Sequence, residues 1–161
     1  MKSIRKISVY DRQVQDRYYI TDSGTVYSEA KDRKVMRDGD RRTVTVHLVK
    51  EAMSVNKEWF VPFKDWGMFC IILRDGTVLR RLTTSISDDT KTAKVHLLDT
   101  TGKEITRIVA RLVANTFIES VDGKEVHHID QDRTNNSVEN LEVLTFEEHR
   151  GVGSHAVRHQ L

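Results

Sequence analysis

The sequence predicts an α+β chain: two small β-rich modules, a helix, and a closing unit of strand, loop, strand and helix. Three observations carry that reading. Two segments centred on turns resemble one another, Tyr19 to Tyr27 around Ser23-Gly24 and Ile71 to Leu79 around Asp75-Gly76. A later stretch, Ile105 to Phe117, places apolar residues at helical spacing. From Val121 onward the composition turns acidic and rich in His and Asn.

The first module is expected over residues 1–62. Apolar residues lead into the Ser23-Gly24 turn and a β-branched pair leaves it, which is the pattern of a β-hairpin. Thr43 to Leu48 alternates polar and apolar, so the hairpin is expected to gain a further strand. The second module, residues 63–119, repeats this with Asp75-Gly76 and then Lys94 to Leu97. Gly24 and Gly76 lie 52 residues apart, and His47 and His96 lie 49 apart, consistent with one unit of about 50 residues used twice. The single proline, Pro62, stands in a Trp59 to Gly67 link taken as the joint. The second module ends in the helix expected over 105–117, with Arg107 and Arg111 one turn apart.

The third unit, residues 120–161, begins with a turn at Val121 to Lys124 and a short strand through Glu125 to His127. A polar loop from Asp130 to Ser137 follows, then a strand over Leu141 to Leu144. Thr145 and Glu148 have the spacing of a capping box, so a helix starts there and carries His149. Gly151 and Gly153 keep that helix short.

With 161 residues the chain is one medium domain or a few small modules, not a large multidomain enzyme. Hydrophobic residues at 38% and charged residues at 31% indicate a thin core under much polar surface. The lone cysteine, Cys70, excludes an internal disulfide and a Cys-rich zinc cluster, and a reducing cytoplasm fits. No apolar signal segment and no run of about 18 apolar residues occurs, so neither export nor membrane spanning is expected. The Asn135-Asn136-Ser137 sequon then carries no meaning.

The net charge of +2 conceals an asymmetry. Residues 1–118 hold 22 Lys/Arg against 15 Asp/Glu, and residues 119–161 hold 4 against 9. A basic front half is thus joined to an acidic, histidine-rich end. A metal held between His127 and His149 would leave His128 free as a base. The loop from Asp130 begins like a calcium loop, but Asn135 and Leu141 stand where Gly and Glu are required, so an EF-hand is rejected.

The run Val126-His127-His128-Ile129-Asp130, followed by Asn135-Asn136, Glu139-Asn140-Leu141 and Thr145 to His149, closely resembles the HNH nuclease motif. Ala110 to Ile118 looks like the helix preceding that motif in phage and intron-encoded HNH homing endonucleases. Tyr18 to Ser28 looks like the start of their β-rich DNA-binding unit. The resemblance implies a ββα-metal nuclease unit, a duplex DNA substrate, and products with 5′ phosphate and 3′ hydroxyl ends. It implies His127 as the first metal ligand, where many relatives have Asp, and His149 as the ligand on the helix. His128 would be the general base. Asn140 would brace the loop and orient that base, and Asp130 and Asn136 would shape the loop. Some HNH toxins add a His one turn after the helix ligand; here that position is Gly153. Phosphate and water would therefore complete the shell of one divalent ion, Mg, Mn, Zn or Ni.

Histidine with an ordinary pKa near ~6.5 is largely neutral at cytoplasmic pH and can take a proton from water. Basic residues of the two modules, Arg33, Lys34, Arg37, Arg41, Arg42, Arg80, Arg81, Lys91 and Lys94, are expected to track DNA phosphates. His47 and His96 face solvent or DNA on alternating strands, and Cys70 is expected to be buried and inert. Location in the cytoplasm, of a bacterial host if phage-encoded, is expected. The alternative is a non-enzymatic DNA-binding regulator whose ββα unit keeps a structural metal. One active site per chain would let a monomer nick and a homodimer cut both strands.

Overall fold

A computed structural model describes residues 3–30, 34–36, 43–45, 53–54, 59–61, 70–73 and 75–148, with side chains described at 3–30, 70–73 and 75–148. Strands dominate, and one helix of nine residues, α1 (Val109–Phe117), is described in full.

Both expected hairpins form. The first joins β2 (Tyr18–Thr21) to β3 (Val26–Glu29), and the second joins β8 (Cys70–Leu73) to β9 (Val78–Arg81). Their turns place Gly24 at φ +90° and Gly76 at φ +93°, a region glycine enters without a Cβ clash. The hairpins do not stand apart, however. β3 pairs with β9, Tyr27 opposite Arg81 and Glu29 opposite Leu79, within one sheet. β1 (Ile4–Lys6) extends that sheet at one edge. At the other, β7 (Trp59–Val61) and β6 (Met53–Ser54) complete the order β1-β2-β3-β9-β8-β7-β6.

This pairing corrects the expectation that each hairpin gains the alternating strand that follows it. β5 (Thr43–Thr45) instead pairs with β4 (Lys34–Met36) as a separate ribbon. β11 (Ala93–Leu98) is the middle of a three-stranded sheet with β10 (Ser85–Ile86) and β12 (Glu104–Ile108). Alternation fixes which face of a strand is apolar, not which edge it meets. Here the free edge of β3 is taken by β9, which buries Tyr27, Ile71 and Leu79 together.

The helix expected over 105–117 is shorter than its spacing suggested. Glu104–Ile108 is β12, paired with Lys94–Leu98 across a turn whose Gly102 has φ +89°. Ile105, Thr106 and Ile108 are β-branched and the turn precedes them directly, so a hairpin strand wins over the first helical turn. Arg107 then lies on a strand and pairs with Asp11 at 2.8 Å rather than stacking under Arg111.

One core joins the two ends of the chain. Ile7, Tyr18, Ile20 and Val26 pack with Val95 and Leu97 of β11, with Val109, Leu112 and Val113 of α1, and with Leu141. The Tyr18 hydroxyl accepts from the Leu98 backbone at 3.0 Å, and Arg5 donates to the Thr116 carbonyl at 2.9 Å with its guanidinium 4.8 Å from the Phe117 ring centre. The front sheet and α1 thus form the platform beneath the last unit. Cys70 is buried as expected, and burial pushes its thiol up to about 12, so it stays protonated and inert. The Pro62 joint with Phe63 and Trp66, and His47, lie outside the described residues, as do the side chains of Trp59 and Phe60. No described helix is long and apolar enough to cross a membrane.

Candidate active site

Two antiparallel strands, β13 (Glu125–His128) and β14 (Leu141–Leu144), carry the site. Their register sets Val126 opposite Val143, His127 opposite Glu142 and His128 opposite Leu141. Leu141 and Leu144 are buried beneath the hairpin, and this anchors β14 to the core. After β14 the capping box closes as read: the Thr145 backbone donates to Glu148 Oε2 at 2.7 Å, and the Glu148 backbone donates to Thr145 Oγ1 at 3.2 Å. Residues 146–148 are helical. His149, expected on that helix, lies outside the described residues, as do His155 and His159.

The loop between the strands is held by side chains rather than by a ladder. Asn140, buried at 9% exposure, uses its whole amide: Oδ1 accepts from the Asp130 backbone at 3.0 Å, and Nδ2 donates to Asp130 Oδ1 at 2.8 Å and to the Asn135 carbonyl at 2.9 Å. Asp130 accepts in addition from Asn135 Nδ2 at 2.9 Å and from the Asp132 backbone at 2.8 Å. Bonding to Asn135, then to the Asp132 backbone and Asn140, holds its carboxyl below the usual range. Asp132 is likewise lowered by the Thr134 hydroxyl and backbone. The loop begins with Gln131 at φ +64°, its backbone donating to the His128 carbonyl at 3.0 Å. Strain at that one residue is offset by the surrounding bonds.

His128 Nε2 lies 2.8 Å from Asn136 Oδ1. Sequence reading gave the orienting task to Asn140, but Asn140 has committed its three polar bonds to the loop, and the contact to His128 is made by Asn136. Asn136 is itself buried, at 7% exposure. It is clamped from the front sheet: a Cβ added at Gly24 would sit 3.0 Å from Asn136 Cβ and 3.3 Å from its carbonyl oxygen. Alongside, the Val138 backbone donates to the Asp22 carbonyl at 2.8 Å. The β2–β3 turn therefore sets the height of the loop that holds His128. The sequence showed that turn but not its partner, because a contact between residues more than 100 positions apart leaves no local signature.

Gly24→Ala is expected to disturb both ends of this contact. A residue with a Cβ in the left-handed region costs about 1–2 kcal/mol, and here the added carbon also meets the Asn136 backbone. Urea unfolding should show a loss of at least that size. A variant as stable as wild type would contradict the packing.

His127 and His128 line one cleft of about 590 Å³, together with Gln131, Arg133 and Arg111. A strand end entering a loop thus brings both histidines to one place, as expected. Among the described residues no group of three His, Cys, Asp or Glu side chains stands ready to hold a metal. In kind, an imidazole at His127 facing a carboxylate-bearing strand position suits a divalent ion that takes nitrogen and oxygen.

The basic residues expected on DNA fall in three places. Arg80 is half-buried and Arg81 exposed on β9. Lys91 is exposed at the turn before β11, at φ +55°, and Lys94 is half-buried on β11. Arg33, Arg37, Arg41 and Arg42 lie outside the described residues, and Lys34 is placed on β4 without its side chain. His96 is exposed, with Nδ1 3.1 Å from the Thr106 hydroxyl.

Residues 118–150 match the model of the HNH endonuclease family. Over that segment the chain is similar to HNH endonucleases. A solved structure described as "DNA binding and cleavage by the HNH homing endonuclease I-HmuI" is similar over 97% of this chain and 62% of its own, with a TM-score of 0.51 at 20% identity. At that identity the likeness is one of fold, and the chain spans about 62% of that structure's length. No curated protein matches the chain.

Proposed function

We propose that this protein is a metal-dependent DNA endonuclease of the HNH homing type, hydrolysing phosphodiester bonds in duplex DNA. The observation that carries the reading is the held imidazole: His128 at 2.8 Å from a buried Asn136, in a loop locked by Asn140, on the wall of an open cleft. An amide oxygen accepts and does not donate, so in this arrangement Nε2 carries the ring proton and the lone pair sits on Nδ1.

Water attacks phosphorus in line with the 3′ oxygen while His128 Nδ1 takes its proton. The new bond is oxygen to phosphorus, the bond to the 3′ oxygen breaks, and that oxygen gains a proton from solvent, leaving 5′ phosphate and 3′ hydroxyl ends. His127, with His149, would hold a divalent ion, which would supply positive charge to the phosphate and the departing oxygen. Asn136 keeps the imidazole in one tautomer and one orientation, and Asn140 keeps the loop from collapsing into the cleft. Arg80, Arg81, Lys91 and Lys94 supply phosphate contacts away from the cut.

Supercoiled plasmid incubated with Mg, Mn or Ni should be nicked, and a chelator should stop the reaction. Absence of nicking with every ion would overturn the reading. His127→Ala should weaken Mn binding in calorimetry by about tenfold or more, since it removes one of two protein ligands. Unchanged binding would exclude His127 as a ligand.

A further inference from the structure

Two guanidinium groups, of Arg111 and Arg133, stand in the cleft with the histidines. Arg133 leaves the loop and donates Nη1 to the Thr90 carbonyl at 3.2 Å. Arg111, on α1, donates Nη1 to the Lys124 carbonyl and Nη2 to the Val121 carbonyl, each at 3.0 Å. Both line the cleft that holds His127 and His128. Among the described residues neither has a carboxylate within ion-pair distance.

The acids near Arg133 in sequence are engaged elsewhere. Asp130 spends its oxygens on Asn135, Asn140 and the Asp132 backbone, and Asp132 spends its own on Thr134. Among the described residues, Glu125 is the one carboxylate that lines the cleft, against two guanidinium groups. A guanidinium fixed by a neutral carbonyl keeps its full charge, and most of its five donors remain for an anion. One bond to Thr90 holds Arg133 in place while leaving its fork open to the cleft.

We infer that Arg133, supported by Arg111, is a seat for a DNA backbone phosphate beside His128, either the one being cut or its neighbour. The inference rests on the nuclease reading for its substrate. Its measurable content, a charge contact to duplex DNA, stands separately from cleavage. Arg133 acts here by direct contact. Arg111 also ties α1 to the turn before β13, so its removal would confound packing with charge.

The test therefore uses Arg133→Ala and Arg133→Lys in the full chain, with a mixed-sequence duplex and no added metal. Affinity is measured across a range of salt, and circular dichroism monitors the fold. A lost phosphate contact lowers the slope of log affinity against log salt by about 0.9. Arg133→Ala should show that loss and Arg133→Lys should retain the wild-type slope. With Mg or Mn present, kcat/KM for plasmid nicking should fall about tenfold or more in Arg133→Ala, as for a lost charge-assisted bond.

A folded Arg133→Ala with wild-type slope and affinity overturns the seat, whatever the cleavage result. A wild type that binds DNA but never cuts it overturns the nuclease reading, while the slope comparison still decides the seat. A wild type without DNA affinity overturns both.

Discussion

His128→Ala is expected to lower the rate of plasmid nicking by about 10² to 10⁴ while leaving DNA affinity and Mn binding near wild type. That range is what a positioned general base contributes to proton transfer. The split between rate and binding follows from the geometry. His128 meets Asn136 at 2.8 Å and lines the cleft, while His127 is the proposed metal ligand and the basic strands are the proposed DNA contacts. Single-turnover cleavage with a saturating excess of enzyme isolates the chemical step. A variant that nicks at the wild-type rate would remove His128 from the mechanism. A loss of Mn binding equal to that of His127→Ala would make it a ligand instead.

Asn140→Ala is expected to have the largest effect on the fold of the site. Its amide makes three bonds in a buried position, and truncation leaves the Asp130 backbone N–H and the Asn135 carbonyl without their partner. Both groups are only partly buried, so each left unsatisfied costs about 1 kcal/mol, the low end of the usual range, and a total of about 2 kcal/mol is expected from chemical unfolding. The Asp130 carboxyl gives a second readout. Asn140 is one of the groups that hold it below the usual range, so the substitution should raise its titration point toward that of an ordinary aspartate. The sign follows from the depressed value. The charged form is favoured in the folded chain, so this contribution is present above the unfolded pKa and lost as pH falls through the folded one. Removing Asn140 therefore makes the loop less sensitive to acid as well as weaker. Carbon-detected titration of Asp130 would check the shift, and an unchanged midpoint would contradict the bonding.

Much of this was legible locally. Ser23-Gly24 and Asp75-Gly76 marked their hairpins because only glycine takes φ near +90° cheaply. Thr145 and Glu148 marked the helix start because the capping box is a matter of spacing alone. His127, His128 and Asn140 stood out by their order. The partners were not legible. β3 meets β9 because Tyr27, Ile71 and Leu79 share a buried face, and nothing in either hairpin specifies the other. Glu104–Ile108 imitated a helix because isoleucines at 105 and 108 satisfy a helical spacing as well as a strand beside a turn. Asn136 was read as loop-shaping, and the structure adds its contact to His128 and its close approach to Gly24, on which the proposed orienting task rests. Arg111 was marked only as a helical neighbour of Arg107, and Arg133 carried no sequence signal, since arginines on a helix and in a loop are ordinary. Their meaning comes from the carbonyls that hold them.

The central claim is that water, deprotonated at His128, attacks phosphorus and expels the 3′ oxygen. Cleavage in water enriched in heavy oxygen, followed by mass spectrometry of the ends, tests it most directly. One heavy oxygen in the 5′ phosphate and none at the 3′ hydroxyl is the expected result. A 3′ phosphate, or 5′ ends free of label, would contradict it.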